Sequence, residues 1–167
     1  MDAIGYLKYQ FSGLHERSCM PLAGLTDEQI NRLPPGKANK IGTVLLHALS
    51  GEDQFIQLFL QEKPLLWDSQ NWSAKIGIPY PPGGPKGWDE AKACTLSLAA
   101  ILEYQQAVYA ATNAYIESLS PDDLDCIMPF FGYKLPLALI LSMCVCHSAE
   151  HFGEISGLKG VMEMEGA

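Results

Sequence analysis

Apolar residues recur every three or four positions along four long stretches of the chain, which is the spacing of a buried helix face. The stretches cover residues 2–20, 39–62, 89–119 and 136–157. The fourth is apolar on nearly all sides as far as His147, as expected for a helix in the middle of a domain. No convincing pair of strands accompanies them, although residues 128–134 fit an extended segment. The pattern therefore predicts an all-α fold, a four-helix bundle, in a single domain of residues 1–167.

Local signals place the ends of several helices. Asn39 and Asp89 are predicted to cap the second and third long helices. Thr26 opens a capping-box pattern for a short helix, and Ser120 followed by Pro121 starts another short helical turn.

The stretch from Leu65 to Gly87 differs from the rest of the chain. It contains four prolines, several glycines and the aromatic residues Trp67, Trp72 and Tyr80. Prolines at this density exclude a regular helix, and the aromatic residues favour an ordered loop packed on the bundle over a disordered linker. We interpret the stretch as a long loop and as a candidate lid.

The charge of the chain excludes some partners. Its 11 basic and 19 acidic residues give a net charge of −8, which argues against binding to nucleic acid or to an anionic membrane. The longest apolar run, Leu135 to Cys146, is too short to span a bilayer, so we expect a cytoplasmic protein. Five cysteines without a CxxC pair favour reduced, mostly buried thiols.

The strongest chemical signal lies in the fourth helix. His147 and His151 are four residues apart, so their imidazoles lie one turn apart on one face, within reach of a single metal ion. Glu154 follows three residues after His151, where its carboxylate can ligate, orient a ligand or move a proton; Glu150 lies on the flank. The alternative is a pair of partly buried histidines that bind backbone or water.

A third ligand is needed for an ordinary protein metal site. Of the two remaining histidines, His47 lies in an apolar helical pattern and needs a polar partner if it is buried. His15 has no second histidine at ligand spacing, which favours a surface or capping role. Cys144, three residues before His147, can be a reactive thiol or a ligand, but packing is favoured because its neighbours are apolar.

Together, His47 within residues 41–49 and the segment from His147 to Ile155 resemble the DinB-like superfamily. The resemblance covers nearly the whole chain and implies an up-down-down-up bundle, a divalent metal held by His47, His147 and His151, and frequent homodimers. Some relatives are thiol-dependent transferases or isomerases. Members typically show HxxxHHxGQI-like endings, whereas here the residue after His151 is Phe152, and Glu154 stands at the usual place of the glutamine.

Three hypotheses about function follow. A three-histidine site leaves coordination positions open and favours nickel, zinc, iron or copper, which suits a metal-dependent enzyme acting on a small molecule. Such an enzyme would be a hydrolase or a thiol S-transferase, with Glu154 as the catalytic proton acceptor. The second hypothesis is a metal- or ligand-binding helical bundle without catalysis, and the third is a bundle whose histidines are only structural.

Overall fold

The fold was determined as a computed structural model that describes residues 1–164, without the side chains of residues 84–86. The last three residues of the predicted 1–167 domain lie outside this range. The helices are α1 (Ala3–Ser18), α2 (Asp27–Asn31), α3 (Ile41–Asp53), α4 (Leu66–Ser69), α5 (Trp72–Ile76), α6 (Gly84–Ala93), α7 (Leu98–Glu117) and α8 (Leu137–Val161). A π-helical segment, Gln54–Phe59, extends α3, and a 3₁₀ turn, Pro121–Asp125, follows α7. Strands β1 (Ile127–Phe130) and β2 (Tyr133–Pro136) form an antiparallel hairpin.

The four long helices, α1, α3, α7 and α8, contribute buried residues to two hydrophobic clusters. Helix α3 contacts α7 and α8, and α1 contacts the same two helices from the other side. The prediction of a mostly helical fold is therefore confirmed, while the four-helix bundle and its up-down-down-up order stay predictions. The expectation of an all-α fold without a strand pair is wrong, because β1 and β2 pair. None of the helices within residues 1–164 is both long and apolar enough to cross a membrane.

The third long helix begins at a later residue than the sequence predicted. Asp89 does not cap it but lies inside α6, and α7 starts only after Ser97, whose hydroxyl accepts a hydrogen bond from the Ala100 N–H. The break between the two helices is held by Asn31 of α2, whose side chain accepts from the Leu96 N–H (2.8 Å) and donates to the Leu96 carbonyl (2.7 Å). This partner is 65 residues away in the chain, so local periodicity could not show the break.

The other local predictions have mixed outcomes. Thr26 and Ser120 both form capping boxes, and the hairpin confirms the extended segment around residues 128–134. Asn39 is not the cap of α3, because the N-cap position belongs to Lys40, whose side chain makes no capping bond.

The proline-rich stretch is ordered against the core, as predicted. Trp67 and Trp72 are only 2% and 3% exposed, and both rings pack against Tyr104 of α7. Asp53, the last residue of α3, accepts hydrogen bonds from the N–H groups of Leu66 (3.0 Å) and Trp67 (3.1 Å) at the start of α4. The prediction that the stretch lacks regular helix is wrong for α4 and α5. The Asp53 carboxylate caps α4, and Trp67 of α4 and Trp72 of α5 bury the apolar sides of these short helices.

A buried polar group, which we call the His15 cluster, links α1, α3 and α7. It consists of His15, Ser18, Glu52, Tyr109 and Thr112. Glu52 Oε1 lies 2.9 Å from His15 Nε2 and accepts a 2.6 Å hydrogen bond from Thr112. The ring of Tyr109 stacks on His15 with 3.6 Å between centroids, and its hydroxyl donates to Ser18. The prediction of a surface or capping role for His15 is therefore wrong, because the long-range partner Glu52 allows the imidazole to be buried.

Candidate metal centre

Two helices bring three histidines together. His147 and His151 are four residues apart and therefore lie one turn apart on α8. His47 lies on α3, which packs against α8. One ring nitrogen from each of these residues lies within 4.8 Å of the other two. We call this group the histidine triad. It can hold a metal ion.

The loop after α5 determines which nitrogen His47 presents. His47 Nδ1 lies 2.7 Å from the carbonyl oxygen of Pro82. Because a carbonyl only accepts hydrogen bonds, Nδ1 carries the proton and donates it. In the neutral ring, the lone pair is then on Nε2, which lies 3.3 Å from Nε2 of His147.

Glu154 determines in the same way which ring nitrogen of His151 carries the proton. Its Oε2 lies 3.0 Å from His151 Nδ1, so this nitrogen donates to the carboxylate and leaves Nε2 free to bind. The His151 and Glu154 side chains are 20% and 39% exposed, so this pair lies at the solvent edge of the triad. Of the three roles considered for Glu154, orienting a ligand is the one for which the structure gives a direct contact.

Burial keeps the other two rings neutral. Desolvation, followed by the nearby charges of His151 and His47, lowers the pKa of His147 to about 4. Burial also lowers the pKa of His47, although the bond to Pro82 opposes this shift. At neutral pH both rings therefore keep a lone pair, as metal ligands require.

Gly51 makes room for His147. It lies one turn after His47 on α3, and a Cβ added there would lie 2.3 Å from Cε1 and 2.9 Å from Nδ1 of His147. No other residue type fits this position without displacing the ring. Within the described residues, the buried Nδ1 of His147 has no hydrogen-bond partner.

The geometry fits a divalent ion. Nitrogens at about 2.0–2.1 Å from a tetrahedral zinc are roughly 3.3–3.4 Å from one another. The distance between Nε2 of His47 and Nε2 of His147 is 3.3 Å, which matches this spacing for one of the three nitrogen pairs. Three imidazole donors favour zinc, nickel, iron or copper and leave coordination positions open.

A cleft of about 530 Å³ opens beside the triad. His47 and His147 form part of its wall, together with the chain at Pro81 and Gly83. Trp88 of α6 lies over His47 on another side, with 4.6 Å between ring centroids. The open coordination positions therefore have a cavity next to them that a small molecule can enter.

The other candidate residues lie outside the triad. Cys144 is fully buried in the core, and burial, together with the charge of Glu52, raises the pKa of its thiol, which confirms packing as its role. Glu150 is exposed. The five cysteines are free, as predicted, but the expectation that most are buried is wrong: Cys94 is partly buried and Cys19, Cys126 and Cys146 are exposed.

One family model matches most of the chain. A sequence model of the DinB superfamily matches residues 10–155, which include the whole triad and Glu154. The chain belongs to the DinB superfamily.

Solved structures show the same fold for this DinB-superfamily protein. A conserved protein from Enterococcus faecalis superposes with a TM-score of 0.81 at 19% identity, over 96% of this chain and 97% of the other. A DinB-like protein from Bacillus cereus gives a TM-score of 0.59 at 19% identity, over 95% and 89% of the two chains. The comparison with curated proteins found no match.

Sequence reasoning missed three contributors to the site in this DinB-superfamily chain. Gly51 had a signal, since it follows His47 by one helical turn. Trp88 lay between the predicted loop, 65–87, and the predicted helix, 89–119. The Pro82 contact is made by a backbone oxygen, for which a sequence contains no signal.

Proposed function

We propose that this protein binds one divalent metal ion through His47, His147 and His151 and acts as a metal-dependent enzyme on a small molecule, as a hydrolase or a thiol S-transferase. A divalent ion with open positions supplies Lewis-acid chemistry and makes a bound water or thiol more acidic. The observation that carries the proposal is the convergence of the three rings, with one nitrogen of each within 4.8 Å of the others.

The outer hydrogen bonds support the proposal. Pro82 and Glu154 hold the Nδ1 protons of His47 and His151, so both Nε2 atoms remain available as ligands. Outer partners of this kind fix the ring orientation in most protein metal sites, and carboxylates and backbone carbonyls are the usual ones.

Glu154 is our proposed catalytic residue as well as the partner of His151. Its side chain is 39% exposed beside the triad, so one carboxylate oxygen can bind His151 while the other accepts a proton from substrate or water. The Glu154→Gln variant separates these functions, because an amide oxygen still accepts the His151 hydrogen bond but is not a base. We expect this variant to keep its metal and to lose activity, and Glu150→Gln, on an exposed part of the same helix, to keep both.

The test begins with elemental analysis of the protein purified without an affinity tag. We expect about one zinc, nickel or iron per chain. Activity on panels of esters and thiols should disappear with a chelator and return with the metal that was found. Full metal occupancy in the His147→Ala, His151→Ala double variant would contradict the site assignment.

Three further expectations belong to this proposal. The four long helices form an up-down-down-up four-helix bundle, the chain forms a homodimer, and the protein is cytoplasmic. Light scattering of the purified protein tests the homodimer directly. The mostly helical fold and the packing of α1 and α3 between α7 and α8 support the bundle.

A further inference from the structure

Part of the wall of the cleft beside the triad is made of aromatic rings. Phe55 and Phe59 come from the π-helical segment after α3, and Phe130 and Phe131 come from the hairpin. We call these four residues the phenylalanine wall. Phe130 lies 5.1 Å from Phe55 and 4.9 Å from Phe59, and Phe131 lies 4.6 Å from Phe59, measured between ring centroids.

The phenylalanine wall begins at a triad residue. The ring of Phe55 lies 5.9 Å from that of His147, so a chain of ring contacts runs from the triad through Phe55 and Phe130 to Phe131 at the tip of the hairpin. The π-helical segment produces this arrangement, because it places Phe55 and Phe59 toward the cleft at the point where α3 leaves the triad. π-Helical segments are rare in proteins, and those that occur are often found at functional sites.

Phe131 occupies a position that the backbone disfavours. It forms the two-residue loop of the hairpin with Gly132, and the φ angles of these residues are +47° and +82°. A loop with two positive φ values favours Asn-Gly, since a bulky side chain is strained there. The ring is also 66% exposed, so burial in the core does not compensate for the strain.

We propose that the phenylalanine wall binds a flat aromatic or similarly apolar group of the substrate, and that Phe131 covers this group at the mouth of the cleft. The inference rests on the proposed function for the position of the reacting atom, which lies beside the triad. Aromatic rings stack on one another and on apolar groups with a gain beyond simple burial. None of the described side chains that line the cleft is a lysine or an arginine, which agrees with an uncharged group.

The test uses 4-phenylimidazole and imidazole as probes on the metal-loaded full chain. Both offer the same nitrogen to an open coordination position, but only the first carries a ring that can reach the wall. Calorimetric titration should show that 4-phenylimidazole binds at least about tenfold more tightly, because the phenyl group is removed from water. Equal affinity for the two probes would overturn the proposal.

Two variants of one residue separate binding from folding. Phe131→Ala and Phe131→Asn should each reduce the preference for 4-phenylimidazole by about three- to tenfold, since both lack the ring. Phe131→Asn should unfold at a higher temperature than Phe131→Ala and at least as high as the wild type, because Asn-Gly suits the turn. Retention of the preference in either variant, or a Phe131→Asn protein less stable than the wild type, would contradict the assigned role.

Tyr133 provides the matched control. It pairs with Phe130 across the hairpin and is 70% exposed, but it does not line the cleft. Tyr133→Ala should leave the affinity for both probes unchanged.

A chelator-treated sample distinguishes failure of the wall from failure of the metal site. In this sample, 4-phenylimidazole should still shift the NMR signals of the hairpin residues, whereas imidazole should not. If the protein binds no metal, the loaded and chelated samples give the same result and the wall is still tested. If the wall binds nothing, the hairpin signals do not move in either sample.

Discussion

The protein contains two histidine groups, the triad and the His15 cluster, which share helix α3 but differ in the partners of their imidazole rings. Helix α3 presents His47 and Gly51 to the triad, while the next residue, Glu52, belongs to the His15 cluster. His15 meets a carboxylate and a stacked tyrosine ring, and Glu52 also accepts from Thr112. In the triad, by contrast, Nε2 of His47 and Nε2 of His147 face each other at 3.3 Å.

This difference separates a structural histidine from a ligand. Two imidazole nitrogens facing each other at this distance make at most one hydrogen bond, and Nδ1 of His147 has no hydrogen-bond partner within the described residues. The His15 cluster is held by hydrogen bonds among its own side chains, whereas the triad brings together three ring nitrogens that can hold a cation. The four variants that follow test this contrast.

The largest effect is expected for His15→Ala. The buried carboxylate of Glu52 then keeps Thr112 but loses its imidazole, and an uncompensated buried charge costs about 3–5 kcal/mol of unfolding free energy. Urea denaturation measures the loss. Metal content should not change, so release of metal by this variant would contradict the separation of the two groups. His15→Gln, which retains an N–H donor, should lose less.

The next effect concerns His147→Ala. A metal that binds only the folded protein stabilises it by about 2.7 kcal/mol when its free concentration is one hundred times Kd. The wild type should therefore unfold at a higher urea concentration with metal than with chelator, whereas the variant should show no such difference. A metal-dependent shift of equal size in the variant would mean that the ion binds elsewhere.

Gly51→Ala tests whether the triad depends on the close approach of α3 to His147. The added Cβ would lie 2.3 Å from Cε1 of His147, so the ring must move and metal affinity should fall by about 10–100-fold, as when an orienting contact is lost. Competition with a chromogenic chelator gives the affinity. Gly157→Ala is the control, because a Cβ there has no atom within 4 Å and should stabilise α8 by roughly 0.5–1 kcal/mol.

The smallest effect is expected for Glu154→Ala. His151 loses the acceptor that fixes its orientation, and metal affinity should fall by about tenfold. Glu150→Ala, at an exposed position of the same helix, should have no effect on the affinity. Equal affinities for the two variants would show that the Glu154 contact does not orient the ligand.

The sequence predicted the elements that depend on local periodicity. Helices α1 and α8, and α3 with its π-helical extension, match the predicted helices within a few residues. The i, i+4 pair, His147 and His151, showed which face of α8 meets α3 at the triad. Features that depend on distant partners escaped. The start of α7 depends on Asn31, and the burial of His15 depends on Glu52. Neither pairing leaves a trace in the spacing of nearby residues.

The site shows the same division. The histidine ligand atoms lie together as the sequence predicted, because two of them share a helix face and the third had to find a polar partner. The cleft could not be predicted, since it joins a π-helical segment, a hairpin tip and a proline-rich turn. The chain brings these pieces together only when the core has formed.

The hydrogen bond between His47 and the Pro82 carbonyl has a consequence for mutagenesis. The acceptor is a main-chain atom, so replacing the Pro82 side chain does not remove the acceptor itself. The orientation of His47 therefore depends on the path of the loop, which its prolines help to fix. Deleting or inserting one residue between α5 and α6 would reveal the contact, because it would carry the oxygen away from the ring.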